Sequence, residues 1–204
     1  MEIFLLFIRK FKSFTSMAHL SRLFLKVFGW SYQSDNLPPC KCILIAAPHT
    51  SNWDFPMMLS YGFMLDLKYH WLGKHTLFFG PFGLFMRFLG GIPVNRRKKN
   101  DYVTLLSKEI KSKAKCILII PPEGTRSRSD YWKSGFLHIA RKAEVPIVFA
   151  SLDYQKKNLT FSEAILPSLP DDEIMGVAQV FYRDAKGLHP NNFGPVRLKS
   201  KEQV

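Results

Sequence analysis

The chain has 204 residues, enough for one domain with a buried core, and 47% of them are hydrophobic, which excludes a disordered protein. Lys and Arg number 29 against 16 Asp and Glu, so the net charge is +13. This balance favours an acidic partner, namely nucleic acid, anionic lipid or a phosphorylated substrate, although a soluble protein with an uneven surface would also carry it.

Residues 1–30 combine apolar and basic side chains at the spacing of amphipathic helices. The longest apolar run, Ile3–Ile8, is far shorter than the roughly 20 residues that cross a bilayer. The basic residues follow this run, whereas a secretory signal carries them first. We therefore expect one or two helices that lie in the membrane interface, followed by a domain of residues 31–204. The alternative is a helix pair packed on its own domain.

From residue 41 onwards, short apolar runs alternate with segments of helical periodicity. Strands are predicted at Lys41–Ala47, Tyr69–Gly73, Ile92–Asn95, Cys116–Ile120, Pro146–Leu152 and Leu159–Ile165. Helices are predicted at Asp54–Leu65, Phe82–Leu89, Asp101–Ser112, Trp132–Lys142 and Asp171–Asp184. The alternation predicts a single-domain α/β sandwich whose central sheet is mostly parallel and flanked by helices.

The cysteines are Cys40, Cys42 and Cys116, an odd number without the spacing of a disulfide framework, which favours a reducing compartment. With His49 they match no common zinc pattern, so we expect small buried side chains and no metal site. No RNA-binding, zinc-finger or helix-turn-helix signature is present, and no nucleic-acid partner is expected.

Two polar motifs directly follow predicted strands. His49-Thr50-Ser51-Asn52-Trp53-Asp54 comes after the first strand, and Pro122-Glu123-Gly124-Thr125-Arg126-Ser127 comes after the run that ends at Ile120. In a parallel sheet both would lie at the carboxyl edge, where active sites of such folds gather. The spacing therefore allows the two motifs to meet in one site.

The first motif offers a base with a carboxylate partner. Histidine suits proton transfer near neutral pH, and a carboxylate on its second nitrogen fixes the tautomer. Residues five apart do not touch within one helix, so His49 must sit in the turn before the helix and Asp54 in its first turn, with Ser51 or Asn52 as the helix cap. The pattern is short enough to arise by chance, and a structural turn histidine is the alternative.

The second motif offers a turn that carries positive charge. Gly124 permits a tight turn and close approach of a ligand, Arg126 can bind phosphate with two donors, and Thr125 and Ser127 add hydroxyl groups. The alternative is a loop in which Glu123 and Arg126 simply form an ion pair. No nucleophile with an activating context is visible, so the chemistry indicated is base catalysis without a covalent intermediate.

A third segment, residues 80–99, joins an apolar glycine-rich stretch to the cationic run Arg96-Arg97-Lys98-Lys99. An acyl chain at one end and a phosphate at the other would suit it. The alternative is a buried hairpin-like connection followed by a solvated charge run.

Together these segments resemble the glycerolipid, lysophosphatidic acid type, acyltransferase family. His49–Asp54 resembles its catalytic H-x-x-x-x-D block, Gly91–Arg96 its second block, Pro122–Ser127 its glycerol-phosphate block and Val145–Val148 its fourth block. The four blocks occur in the family's order. Pro48, Pro121 and the segment Phe149–Ser151 depart from the usual pattern, which leaves the acyl acceptor open.

The resemblance implies transfer of a fatty acyl group from acyl-CoA or acyl carrier protein, as co-substrate and without a cofactor, to a lysophospholipid hydroxyl in membrane phospholipid biosynthesis. It implies that His49 is the base and that Asp54 orients it. The head group would bind at Arg126, with Glu123, Gly124, Thr125, Ser127, Asn95 and Arg96 around it. The enzyme would act on membrane lipid as a peripheral or monotopic protein at the cytoplasmic face.

Two other functions remain open from the sequence. Water in place of the lysolipid hydroxyl would make the same site an acyl-thioester hydrolase. A non-enzymatic basic module that binds membrane or nucleic acid would also explain the charge, but it would leave the His49 and Arg126 motifs without a purpose.

Overall fold

The computed structural model describes residues 14–33, 35–94 and 99–199. Residues 1–13, which belong to the amino-terminal segment predicted to hold one or two helices, and the predicted head-group residues Asn95 and Arg96 lie outside these ranges.

The described residues form a central sheet of seven strands. The strands are β1 Ser31–Tyr32, β2 Lys41–Ala47, β3 Tyr69–Lys74, β4 Gly91–Val94, β5 Cys116–Ile120, β6 Ile147–Asp153 and β7 Asn158–Phe161. Their order across the sheet is β1-β7-β6-β2-β5-β3-β4. The block from β6 to β4 is parallel throughout, whereas β7 runs antiparallel to β6 and β1 runs parallel to β7.

Helices cover both faces of the sheet. They are α1 Phe14–Val27, α2 Asp54–Met64, α3 Gly80–Phe88, α4 Lys99–Ser112, α5 Gly135–Ala143 and α6 Asp171–Phe181, with short 3₁₀ turns at His75–Phe78 and Pro190–Asn192. The prediction of an α/β domain with a mostly parallel sheet and flanking helices is confirmed.

Alternate side chains of β2 enter two separate apolar layers, as the period of a strand requires. Ile43 and Ile45 are buried with residues of α4, α5 and α6, while Cys42 and Leu44 are buried with residues of α1, α2 and α3. Because β2 is covered on both faces, its sequence is apolar throughout rather than alternating. This explains why the run was recognisable as a strand.

Several predicted boundaries differ from the structure, and two of the differences have a clear cause. The helix expected from Trp132 begins at Gly135, because Trp132 lies in an extended segment that bridges to Leu198 and its indole is 1% exposed in the core. The strand expected to continue to Ile165 ends at Phe161, and Ile165 makes only an isolated bridge to Ile147. In both segments a single buried side chain, Trp132 or Ile165, stands between exposed residues and does not extend the neighbouring element.

Helix α1 has features of both alternatives considered for the amino-terminal stretch. It packs on the domain through Ser21 and Leu25, which are buried. Three other apolar side chains of the helix, Leu20, Leu23 and Val27, are more than half exposed. Among the described residues, no helix is long and apolar enough to cross a membrane.

Candidate active site

The two polar motifs meet at the carboxyl edge of the sheet, because the strands that precede them, β2 and β5, are neighbours. The His49 backbone N–H donates a 2.7 Å hydrogen bond to Oε1 of Glu123. The Arg126 guanidinium donates from Nη1 to the side-chain oxygen of Asn52. Two hydrogen bonds, one from each motif, therefore hold the two motifs together.

His49 and Asp54 form a hydrogen-bonded pair, with 3.0 Å between Nδ1 and Oδ2. His49 lies in the turn after β2, and Asp54 is the first residue of α2, which is the arrangement required for contact. A carboxylate only accepts hydrogen bonds, so Nδ1 carries the proton and Nε2 is the nitrogen left to act as a base. The side chains are 26% and 11% exposed, so the pair is largely shielded while a substrate can still reach the imidazole.

The expected cap of α2 is wrong. The N-cap residue is Trp53, and it makes no side-chain cap bond. Ser51 instead links its backbone N–H to Asp54 Oδ2 at 3.0 Å, while its hydroxyl accepts from the Trp53 N–H at 3.1 Å. The serine thus contributes to the site by fixing the carboxylate rather than by starting the helix.

Tyr154 is a site residue that the sequence reasoning missed. Its hydroxyl donates to Asp54 Oδ1 at 2.8 Å, and its ring meets the indole of Trp30 edge to face with centroids 5.0 Å apart. Burial, together with the negative charge of Asp54, raises the pKa of Tyr154 well above its ordinary value, so the phenol stays protonated and donates its proton to the hydrogen bond with the carboxylate. The available signal was its position directly after β6, the other neighbour of β2.

Glu123 lies beneath His49 and does not face solvent. It is 2% exposed, and among the described residues its Oε2 has no hydrogen-bond partner. Burial raises the pKa of Glu123 to about 7, the charge of Asp54 adds to the rise, and the His49 N–H opposes it. The alternative of an ion pair with Arg126 is wrong, since Glu123 bonds to His49 and Arg126 bonds to Asn52.

The rest of the second motif forms an exposed turn. Gly124 has a positive φ of 67°, a backbone conformation that strains other residues, so the turn favours glycine. Thr125, Arg126 and Ser127 are exposed, and the Ser127 N–H donates to the Thr125 hydroxyl at 3.2 Å. The turn therefore presents hydroxyl groups and a guanidinium at the rim of the site.

Arg128 and Arg126 are exposed in the same turn, but they bind different kinds of partner. Its Nη1 donates to the backbone carbonyls of Asn191 and Phe193, at 3.4 Å and 3.1 Å. It therefore ties the turn to the carboxyl-terminal part of the described chain. Within the described ranges, Arg126 hydrogen-bonds a neutral amide oxygen, so it is the guanidinium better placed to exchange its partner for an anion.

An apolar pocket opens beside the His49–Asp54 pair. It encloses about 80 Å³ between α2 and the sheet, and small side chains such as Ala46 and Ala150 line it. Apart from the pair itself, the polar groups on its wall are the hydroxyls of Tyr61 and Tyr69, and the Tyr61 hydroxyl donates to the Ser31 carbonyl. The pocket thus suits a hydrocarbon chain better than a polar ligand.

The cysteines take no part in this chemistry. Cys42 and Cys116 are buried strand residues, and Cys40 is exposed. Burial raises the pKa of the Cys42 thiol to about 12, and burial also raises that of Cys116, so neither is poised as a nucleophile. In the described ranges, no group of three or more His, Cys, Asp or Glu side chains is placed to hold a metal ion.

The family model described as "Acyltransferase" matches residues 31–152, more than half of the chain. The chain belongs to the acyltransferase family. The match includes all four blocks identified in the sequence, from His49 to Val148. The enzyme is an acyltransferase, as the resemblance implied.

A solved structure shares the fold of this acyltransferase. The crystal structure of the 1-acyl-sn-glycerophosphate (LPA) acyltransferase PlsC from Thermotoga maritima superposes with a TM-score of 0.59 at 20% sequence identity. The match covers 83% of this chain and 77% of the other. No curated protein matches the sequence.

Proposed function

We propose that this acyltransferase moves a fatty acyl group from an acyl thioester, acyl-CoA or acyl carrier protein, to the hydroxyl of a lysophospholipid such as lysophosphatidic acid. The reaction belongs to membrane phospholipid biosynthesis and uses no covalent intermediate. The observation that carries the proposal is a histidine base at the mouth of an apolar pocket, with the Arg126 guanidinium on the exposed side. A lysophospholipid has the matching parts: a hydroxyl, which receives the acyl group, and a phosphate, which the guanidinium can bind.

The chemical step follows from the tautomer of His49. Nε2 removes the hydroxyl proton as the hydroxyl oxygen attacks the thioester carbonyl carbon, and Asp54 stabilises the imidazolium that forms. The carbon–sulfur bond then breaks, and the imidazolium returns the proton to the thiolate. The products are an ester and a free thiol, with His49 restored.

The acyl chain of the donor lies in the pocket between α2 and the sheet. This position brings the thioester carbonyl beside His49 and keeps water away from the reacting carbon. Few donors of hydrogen bonds line the pocket, so the site discriminates chains by length rather than by polarity.

The head group of the acceptor binds at the exposed turn. Arg126 exchanges its bond to Asn52 for a phosphate oxygen, and Thr125, Ser127 and the backbone at Gly124 complete the cradle. Asn95 and Arg96 follow β4 in the sequence, and the carboxyl end of β4 lies at the same edge of the sheet; Asn95 contributes an amide and Arg96 a further positive charge. Glu123 supports this site from below by holding the backbone of the base, because its carboxylate is buried against the His49 N–H.

The enzyme works at the cytoplasmic face of the membrane, with residues 1–30 as its docking segment and residues 31–204 as the catalytic domain. The exposed apolar side chains of α1 support this arrangement, and Arg22 and Lys26 on the same helix favour an anionic surface.

The test combines two donors with a panel of acceptors. Purified enzyme is given labelled acyl-CoA or acyl carrier protein with lysophosphatidic acid, other lysophospholipids or no acceptor, and phospholipid and free fatty acid are both quantified. We expect phospholipid formation that His49→Ala abolishes while the fold survives. Release of free fatty acid at an equal rate without an acceptor would instead establish a thioesterase, and activity retained by His49→Ala would refute the base.

A further inference from the structure

Helix α3 and the turn before it expose large apolar side chains. Leu77, Phe79, Phe82, Leu84, Phe85 and Phe88 are each between 42% and 70% exposed, and we call them the α3 surface. A helix at the surface of a soluble domain normally turns its polar face outward. Here the outward face is aromatic, and its only charged side chain is Arg87.

The inward face of α3 explains this arrangement. The buried residues of the helix are Gly83, which has no side chain, and Met86. A Cβ at Gly83 would lie 2.1 Å from the backbone of Phe78, so the helix backbone sits directly on the preceding turn. The phenylalanines of α3 therefore have no room beneath the helix, and the fold presents them outward.

The sequence on either side of the α3 surface is basic. Between Asp66 and Asp101 the sequence has no Asp or Glu and contains seven Lys or Arg. Within the described part, Lys74 is exposed just before the turn, and the Arg87 guanidinium lies 5.4 Å from the ring centroid of Phe78. Apolar side chains flanked by positive charge complement the surface of an anionic membrane.

The α3 surface begins at the active-site edge of the sheet. β3 ends at Lys74 and is parallel to β2, so Phe79 at the start of α3 follows the same carboxyl edge as His49. Trp53, directly before Asp54, is 57% exposed at this edge. Helix α3 also covers the same face of the sheet as α1, whose apolar side chains are exposed as well.

We propose that the α3 surface is a second membrane-docking surface, which rests on anionic lipid beside the entrance of the active site. This inference rests on the proposed function and deepens it, because a docked enzyme lets a lipid acceptor reach His49 without leaving the bilayer. A second copy of the chain is disfavoured as occupant, because each copy carries a net charge of +13. An acidic carrier protein is disfavoured because the helix itself offers one cation against four exposed phenylalanine or leucine side chains.

The test uses the full chain with a matched control. The variant Phe82→Ser/Phe85→Ser changes two exposed side chains of α3, and Val177→Ser/Val180→Ser changes two exposed apolar side chains of α6 on the other face of the sheet. Co-sedimentation is measured with phosphatidylcholine vesicles with and without phosphatidylglycerol. We expect the α3 variant to bind the anionic vesicles roughly 30-fold more weakly and the α6 variant to bind like the wild type.

A second readout separates this proposal from the proposed function. The α3 variant should lose activity towards a lysolipid embedded in vesicles and keep it towards a short-chain lysolipid in free solution. If no form of the enzyme acylates any lysolipid, the proposed function fails while vesicle binding still tests the surface. Thermal unfolding checks the fold, and if the double variant does not fold, Phe79→Ser replaces it, since Phe79 is the most exposed residue of the set.

Three results would overturn the proposal. One is anionic vesicle binding by the α3 variant equal to that of the wild type. Another is a wild type that is dimeric in sedimentation velocity and an α3 variant that is monomeric but binds vesicles as the wild type does. The last is a loss of activity confined to reactions with acyl carrier protein as donor.

Discussion

Removal of the Tyr154 hydroxyl tests how the proposed catalytic pair, His49 and Asp54, is held. This hydroxyl supplies the hydrogen bond to Oδ1 of Asp54 at 2.8 Å, while the Ser51 N–H and His49 Nδ1–H both approach Oδ2 at 3.0 Å. Tyr154→Phe keeps the ring and its edge-to-face contact with Trp30. It leaves Oδ1 of a carboxylate side chain that is 11% exposed without its protein donor.

The size of the effect follows from the charge of the acceptor. A hydrogen bond to an ionised group is worth about 1.5–3 kcal/mol, which corresponds to roughly a tenfold to hundredfold fall in kcat if it acts in the transition state. We expect KM for the acceptor to stay the same, because Tyr154 contacts the pair and not the exposed turn of Arg126. Initial rates over a range of acceptor concentrations separate the two constants.

A double-mutant cycle shows whether Tyr154 acts through Asp54. In an Asp54→Asn background the same Tyr154→Phe change has no carboxylate to orient, so the further loss should be small. An equal loss in both backgrounds would refute the reasoning. Tyr182→Phe is the control: it removes a buried hydroxyl that bonds to the carbonyls of Ile45 and Ala150, so it should lower stability without lowering kcat.

The remaining predictions concern the head group, the buried carboxylate and the pocket. Arg126→Ala should raise KM for a phosphate-bearing acceptor about tenfold or more, whereas Arg128→Ala, whose guanidinium binds backbone carbonyls, should leave that KM unchanged; equal effects on KM would contradict the assignment. Because burial raises the pKa of Glu123 from 4.5 to about 7, ionisation destabilises the fold as pH rises through this window. The unfolding free energy of the wild type should therefore fall relative to Glu123→Gln by up to about 3 kcal/mol between pH 4.5 and 8, and a constant difference in chemical denaturation would disprove this. Met58→Trp, at the pocket wall, should shift kcat/KM towards shorter acyl donors, and Met64→Trp on the same helix, outside this pocket, should not; an unchanged chain-length profile for Met58→Trp would exclude the pocket as the acyl site.

Buried strands were predictable, whereas the two-residue edge strand β1 was not. β5 was predicted at Cys116–Ile120 and β2 at Lys41–Ala47, with the bounds that the structure has, because strands covered on both faces are continuous apolar runs. The two-residue strand Ser31–Tyr32 carries no such pattern, since both of its residues are exposed. Trp132 misled the helix prediction because, in the sequence, a single aromatic residue before the helix looks like the first residue of its apolar face. In the structure Trp132 is buried but lies before the helix begins.

The same distinction holds for the site. His49, Asp54 and the 122–127 turn could be placed together from the sequence because each directly follows a strand of a parallel sheet. Tyr154 also directly follows a strand, β6, but a single tyrosine outside any polar motif does not stand out, and its contact with Asp54 is evident only in the structure. The burial of Glu123 could not be predicted either, because a carboxylate in a turn is normally exposed to solvent.

The central position of β2 also determines when the catalytic pair can form during synthesis. This strand is the first of the parallel block to leave the ribosome, yet Ile43 pairs with Leu118 on one side and with Ile147 on the other. Both closures span long stretches of chain, and such non-local pairing is slow. His49 and Asp54 are therefore made early and assembled late, and a nascent chain that stops before Tyr154 has both residues of the pair but cannot hold them as the complete enzyme does.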